Sequence, residues 1–260
     1  MLKGKIIAIT GASSGIGREL ARMAAAEGAV PILLARTIQA LEELKAELIA
    51  TAPECAAYPL DVTDNEQVED TVKQIFDTFG RIDVWVNNAG YGIFSEFTLA
   101  RLEDFTDMMD VNYMGTVRCA KAVLPHMLIH NSGHIINIAS VAGKIATPKS
   151  SGYSATKFAV IAFTSTLRQE LAGTGVKVTA INPGPVETAF FNRADATGEY
   201  RKNIERFMLT PQQVAGAILQ SVKRYRPEII LPGYMKLGVI IQQLMPGLFD
   251  RVISPRINKK

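Results

Sequence analysis

The chain has 260 residues, 48% hydrophobic and 20% charged, an ordinary composition for a soluble globular protein. Its net charge of +3 comes without a Lys/Arg cluster, which argues against a nucleic-acid partner. The two cysteines, Cys55 and Cys119, lie far apart and read as small buried hydrophobes in a reducing compartment, not as a disulfide framework.

The chain opens on "MLKGKIIAIT", whose apolar part is too short for a signal peptide. No later run approaches the ~20 residues of a spanning helix, so a cytoplasmic location is expected. Residues 5–10 are predicted as a strand, followed by a helix over about 15–27. "VPILLA" (30–35) is a second strand, and 37–51 reads as a helix. "CAAYPL" (55–60) is a third strand, and 64–80 is a helix that opens on an Asp cap and stops at Gly80. "DVWVNNAG" (83–90) is a strand plus turn. A long helical zone over 101–130 is interrupted near Asn112, and Pro125 is expected to kink or end it. Then come a strand at 134–140, a helix over 153–173, a strand at 176–184, a helix near 211–224 and a strand at 228–231. Wholly apolar strands separated by helices indicate a parallel sheet covered on both faces. Right-handed crossovers make it a doubly wound α/β fold with its ligand crevice at the carboxyl ends of the strands. Without repeats or linkers, the chain reads as a single domain over 1–233, with an apolar and basic extension, 234–260, packed on it.

"TGASSGIG" (10–17) lies between the first strand and the first helix. Its spacing, G-x-x-x-G-x-G, is looser than the usual dinucleotide fingerprint, but its place in the first βα turn is the context such a site needs. Glycines allow a tight turn and close approach to a pyrophosphate, which the helix N-terminus favours. Gly11, Ser13, Ser14, Gly15, Ile16 and Gly17 are therefore candidate cofactor contacts. Arg36 follows the second strand, where NAD-preferring enzymes usually carry an acidic residue. A guanidinium there suits a 2′-phosphate, so NADP(H) is the expected cofactor.

Tyr153 and Lys157 are four residues apart and share a helix face. Together with "TGASSGIG", "NNAG" (87–90), Asn112, Ser140 and "NPGPVET" (182–188), they make the chain resemble the short-chain dehydrogenase/reductase family in its single-domain, Rossmann-like form, over roughly residues 3–232. The resemblance implies that Tyr153 is the general acid/base, Lys157 its activator and a ligand of the nicotinamide ribose, and Ser140 the holder of the substrate oxygen. Asn112 would interrupt its helix and hold a water for proton relay. Asp61 would contact adenine with Val62 beside it. Asn88, Ala89 and Gly90 would line the adenosine ribose, and Pro183, Gly184, Val186 and Thr188 would flank the nicotinamide. The implied activity is NADP(H)-dependent interconversion of a ketone or aldehyde and an alcohol. An NAD-dependent enzyme of the same family and a non-catalytic dinucleotide-binding regulator are the alternatives.

A tyrosine ordinarily titrates near 10, too high for a base at neutral pH. Lys157 and a cationic nicotinamide would each lower it, so a depressed Tyr153 pKa is expected. His126, His130 and His134 offer no third ligand of the right type for zinc, and read as polar residues near a helix C-terminus, with no metal expected. Residues 190–208 are expected to form a mobile lid, and Phe94, Val141, Ala142 and Phe190 to wall a pocket for a small apolar carbonyl or alcohol. The family commonly pairs subunits through the helices predicted at 101–130 and 153–173. The second carries Phe158, Ile161, Ala162 and Leu167 around much of its circumference, so a homo-oligomer is expected. In the tail, Leu237, Ile240, Ile241, Leu244 and Leu248 form an apolar stripe at helical spacing, broken at Pro246–Gly247. Lys236, Arg251, Arg256, Lys259 and Lys260 flank it. It either covers the substrate pocket or a neighbouring subunit, or rests on an anionic membrane through 234–253.

Overall fold

The run IIAIT is buried at every position and forms β1 (Ile6–Thr10). A strand with no exposed face needs helices on both sides. A computed structural model describes residues 2–195, 198–249 and 251 and supplies those helices. In chain order, β1 is followed by α1 (Gly15–Ala26), β2 (Val30–Ala35), α2 (Ile38–Leu48), β3 (Ala56–Pro59), α3 (Asn65–Phe79) and β4 (Val84–Asn87). Then come α4 (Leu102–Met109), α5 (Gly115–Ile129), β5 (Gly133–Ile138), α6 (Ser151–Glu170) and β6 (Val176–Pro183). The chain continues through α7 (Phe190–Ala194), α8 (Glu199–Ile204), α9 (Pro211–Lys223), β7 (Glu228–Leu231), α10 (Met235–Leu244) and the short α11 (Pro246–Leu248).

The seven strands are parallel, in the order β3-β2-β1-β4-β5-β6-β7. The direction of winding reverses between β1 and β4, so a crevice opens there above the carboxyl ends. Alternate side chains of each strand feed opposite layers. Ile7 and Ile9 join Leu20, Leu41 and Ile218 under α1, α2 and α9. Ile6 and Ala8 join Ile75, Val123 and Leu167 under α3, α5 and α6. The cysteines divide between the two layers, both free and buried. Burial pushes the Cys55 and Cys119 thiols up to about 11 and about 12, which makes them poor nucleophiles.

Several local expectations are met and others corrected. Asp64 caps α3 by accepting a hydrogen bond from the Gln67 N–H, and Gly80 ends that helix with φ 72°. The interruption near Asn112 is one π-helical turn, Asp110–Met114, that joins α4 to α5. Pro125 does not end its helix, which continues to Ile129. The three histidines do not share a helix terminus. His134 lies in β5, and His126 stacks on Phe76 with ring centres 4.0 Å apart. Among the described residues no three His, Cys, Asp or Glu side chains form a metal-binding group, and no helix is long and apolar enough to cross a membrane.

Two buried polar systems brace the sheet. Trp85 Nε1 donates to Asn87 Oδ1, Asn87 Nδ2 to Asn137 Oδ1, and Asn137 Nδ2 to Thr164 Oγ1, each at 2.8 Å. This chain of bonds ties β4 and β5 to α6, which carries Tyr153 and Lys157. A satisfied network in a low-dielectric interior fixes relative positions, because breaking one link strands its partner. In the second system, His134 Nε2 lies 2.8 Å from Thr179 Oγ1, whose own hydrogen goes to the Arg226 carbonyl at 2.7 Å. His134 must therefore donate through Nε2.

Burial, helped by Lys177 and Lys5, pushes the His134 pKa down to about 4. The unfolded chain takes up a proton near the ordinary value of about 6.5, which the folded chain refuses, so stability is lost as pH falls between the two values. His134→Gln keeps a donor but cannot titrate. The urea midpoint of the native protein should fall more steeply than that of the variant across this window, and parallel declines would contradict the assignment.

Candidate active site

β1 delivers Thr10 and Gly11 to the crevice. Thr10 Oγ1 accepts hydrogen bonds from the Asn88 and Ala89 N–H groups at 2.9 and 3.0 Å. Asn88 Nδ2 donates back to the carbonyls of Thr10 and Gly11 at 2.9 and 3.2 Å. The glycine loop is thus stapled to the turn after β4 across the point where winding reverses. Geometry requires glycine in this loop. Gly15 has φ 53°, and a Cβ on Gly17 would lie 2.5 Å from the Gly11 carbonyl oxygen. Ser14, the N-cap of α1, makes no side-chain cap. The first-turn N–H groups thus have no capping side chain, as an anion site at a helix N-terminus requires. These residues fit the pyrophosphate of a dinucleotide.

A cleft of about 880 Å³ runs from this loop to α6. All the candidate residues from the sequence line it except Gly17 and Asn112, which lie behind its wall. At one end Arg36 is exposed and forms no ion pair among the described residues. Asp61 Oδ1 is occupied by the Thr63 N–H and hydroxyl at 3.0 and 2.8 Å. The amide of Asn88 faces the glycine loop, so its side chain shapes that loop.

At the other end Tyr153 and Lys157 are buried on one face of α6. The Ser140 hydroxyl neighbours that of Tyr153 and favours its ionised form. Ser140 Oγ also accepts from the Ala142 N–H at 3.1 Å and donates to the Pro183 carbonyl at 3.3 Å. Lys157 Nζ donates to the Ile138 carbonyl at 2.9 Å and lies 5.7 Å from the centre of the Tyr153 ring. Lys157 by itself does not depress the Tyr153 pKa. Burial pushes the phenol up to about 12, opposed by the Ser140 hydroxyl, and pushes the Lys157 ammonium down to about 8. Removal from water disfavours both charged forms, and the ammonium is aimed at a backbone carbonyl rather than at the phenol oxygen. In this arrangement the phenol is a proton donor.

Asn112 is buried in the π-helical turn. Its Oδ1 accepts from the Tyr91 N–H at 3.0 Å, and its Nδ2 donates to the Tyr91 carbonyl at 2.8 Å and to Thr156 Oγ1 at 3.0 Å. Both amide hydrogens are taken, so a relay water at Asn112 would have to be held by an oxygen. The visible role of the side chain is to clamp the loop after "NNAG" to α6.

The segment expected as a lid leaves and rejoins the domain at one place, where Val186 and Leu209 form a parallel bridge. It contains α7 and α8, with Ala196 and Thr197 outside the described residues. Phe94 N donates to the Ala194 carbonyl at 2.8 Å. The Phe190 ring lies 5.5 Å from that of Tyr153, and Phe94 lies 5.9 Å from it. Val141 and Ala142 line the same space. The tail presents two faces, and of the stripe expected there Ile241 packs inward. Met235, Gly238 and Phe249 line the cleft, and Val239 and Phe249 pack with Ile145 beneath it. Leu237, Ile240 and Leu244 point outward, 64%, 40% and 76% exposed. Arg256, Lys259 and Lys260 lie outside the described residues. Sequence reasoning missed Thr10, Tyr91, Arg193 and Tyr200. A polar residue ending the first strand was the only available sign of Thr10.

A family model described as short chain dehydrogenase matches residues 5–198. The chain belongs to the short-chain dehydrogenase/reductase family. It is similar to an uncharacterized oxidoreductase of Staphylococcus aureus strain MRSA252, 41% identical over 222 residues that make up 85% of this chain and 92% of the relative. Among solved structures it is similar to a short chain dehydrogenase/reductase from Burkholderia phymatum in complex with NAD, with TM-score 0.87, 27% identity and 95% of each chain covered. It is also similar to an alcohol dehydrogenase from Thermococcus sibiricus complexed with 5-hydroxy-NADP, with TM-score 0.79, 32% identity and 88% and 96% of the two chains covered. As a member of this family the protein is an oxidoreductase. The glycine loop and the Ser140, Tyr153 and Lys157 side chains line one and the same cleft.

Proposed function

We propose that the protein is an NADP(H)-dependent oxidoreductase that interconverts a ketone or aldehyde and an alcohol by hydride transfer, with Tyr153 as general acid/base. The observation that carries this reading is the convergence of Ser140, Tyr153 and Lys157 on one wall of a cleft whose far end is the glycine loop. The glycine loop, Asp61, Val62, the Asn88–Gly90 turn, the Pro183–Thr188 segment and Lys157 would hold the dinucleotide, which supplies the hydride when bound. Tyr153 would donate a hydrogen bond to the substrate oxygen, and Ser140 would do the same once its hydroxyl turns from the Pro183 carbonyl, so that both stabilise the charge that grows there. Tyr153, kept protonated by burial, would give that oxygen its proton. Lys157 has one N–H on Ile138, which leaves two to replace the proton and to bind a ribose. A phenol held in its acid form suits the reductive direction. The apolar walls at Phe94, Val141, Ala142 and Phe190 suit an apolar carbonyl compound.

NADP(H) is preferred over NAD(H) because Arg36 lines the cleft and is exposed, with no ion pair among the described residues. The NAD-dependent reading has the Burkholderia complex in its favour. A regulator without turnover has no use for a buried acid beside a serine, and turnover of a panel of ketones with NADPH separates that reading from ours. We also propose a homo-oligomer: Leu102 of α4 and Phe158 of α6 are 75% and 44% exposed, more apolar surface than a monomer needs there. The outer face of α10 supplies the apolar surface that either a neighbouring subunit or an anionic membrane would cover.

Tyr153→Phe should leave dinucleotide binding intact and lower kcat by ~10²–10⁴-fold, and wild-type kcat in this variant would remove Tyr153 from the chemistry. Arg36→Ala should weaken NADPH binding by roughly 10–150-fold with little effect on NADH, since hydrogen bonds to charged groups are worth about 1.5–3 kcal/mol. Equal losses for both cofactors, read by fluorescence titration, would contradict the 2′-phosphate contact. Light scattering at micromolar concentration should give a dimer or tetramer, and a monomer would count against the proposed interface.

A further inference from the structure

The charged side chains that line the cleft are Arg36, Asp61, Lys157 and Arg193. The first three have places in the reading above. Arg193 has none. It sits on α7, one helical turn beyond Phe190, whose ring lies 5.5 Å from that of Tyr153. Its guanidinium carbon lies 3.4 Å from the ring centre of Tyr91, across the cleft mouth. Tyr91 adjoins Gly92, where a Cβ would be 3.0 Å from Tyr153 Cδ2. Arg193 and Tyr153 thus line the same cleft, with Phe190 and the Tyr91–Gly92 loop between them.

No carboxylate among the described residues pairs directly with this charge. Asp104 and Asp107 act on the Tyr91 phenol, and Asp195 accepts from the Arg201 N–H at 2.8 Å. Among the described residues Arg193 forms no ion pair. Stacking on a tyrosine holds a guanidinium by its face and leaves its edge donors available, in a fork that matches a carboxylate. The neighbouring walls, Phe94, Phe190, Ile204 and Phe207, are apolar. They offer a neutral substrate contact area but give an arginine no reason to be there.

We propose that Arg193 anchors a carboxylate on the substrate, so that the substrate class is an apolar oxo acid or the matching hydroxy acid. The carbonyl sits at Ser140 and Tyr153, the carboxylate at Arg193, and the apolar body between them. This rests on the oxidoreductase reading for the carbonyl end only. An anion on the dinucleotide is the rival occupant, and the test separates the two.

The test pairs benzoylpropionate with its methyl ester as substrates and phenylbutyrate with phenylbutyramide as ligands without a reducible carbonyl. Wild type should favour the acid of each pair. Arg193→Gln should lower the acid-to-ester ratio of kcat/KM, and the acid-to-amide ratio of calorimetric affinities in the presence of oxidised dinucleotide, by roughly 10–150-fold. Arg193→Lys should restore part of both. No acid preference in wild type, or equal losses on acid and neutral partner, would overturn the proposal. So would a weakened dinucleotide Kd in Arg193→Gln, which would place the guanidinium on a cofactor phosphate. Acid-selective binding without turnover of either substrate would sustain the anchor and sink the oxidoreductase reading.

Discussion

The removal of the Tyr153 phenol and the Lys157 ammonium from water is the constraint on which the site depends. Burial raises the one pKa to about 12 and lowers the other to about 8. At neutral pH the phenol therefore keeps its proton, and the ammonium gives up its own more readily than a lysine in water does. Each buried polar group needs a partner, and the fold supplies them at the carboxyl end of β5. The Ile138 carbonyl accepts from Lys157, and Ser140, two residues on, meets the phenol. A single strand end thus positions both members of the pair.

The rest of the molecule holds that strand end against the glycine loop. Trp85, Asn87, Asn137 and Thr164 link β4 and β5 to α6 through buried hydrogen bonds, and the Thr10–Asn88 staple links β1 to the turn after β4. Asn112 extends the framework to the loop that carries Tyr91. The cofactor end and the chemical end are therefore joined through short, satisfied hydrogen bonds and not through flexible loops. The segment between Val186 and Leu209 is joined at its base by one bridge, and its Phe190 ring lies 5.5 Å from that of Tyr153. Phe190, Arg193 and Met235 line the cleft from this segment and from α10, whereas Ser140 follows β5 and Tyr153 and Lys157 lie on α6.

Much of this was legible in the sequence because it is written locally. Apolar β-branched runs mark buried parallel strands, and the αL glycine at position 80 and the Asp64 cap mark the ends of α3. Tyr153 and Lys157 declare their shared face by spacing alone. Arg36 and the "TGASSGIG" loop declare an anion site by chemistry and position. What could not be read depends on burial or on contacts between distant segments. The direction of the Tyr153 shift follows from how much water the fold excludes, which no four-residue pattern reports. His134 looked like a companion of His126 and His130, yet it lies inside a strand and bonds Thr179. Asn112 was recognised as a site residue, but its grip on Tyr91 and Thr156 needs three elements in place. Arg193 carried no signal, because its partner Tyr91 is about a hundred positions away along the chain.

The central claim is that Tyr153 stands in the cleft as a protonated acid. Ultraviolet difference titration, native protein minus the Tyr153→Phe variant, reads this directly. The account predicts no phenolate from Tyr153 up to and beyond the ordinary tyrosine value of about 10 in the protein alone. A difference signal that titrates near neutrality would show that Lys157 overcomes burial, and would contradict the account.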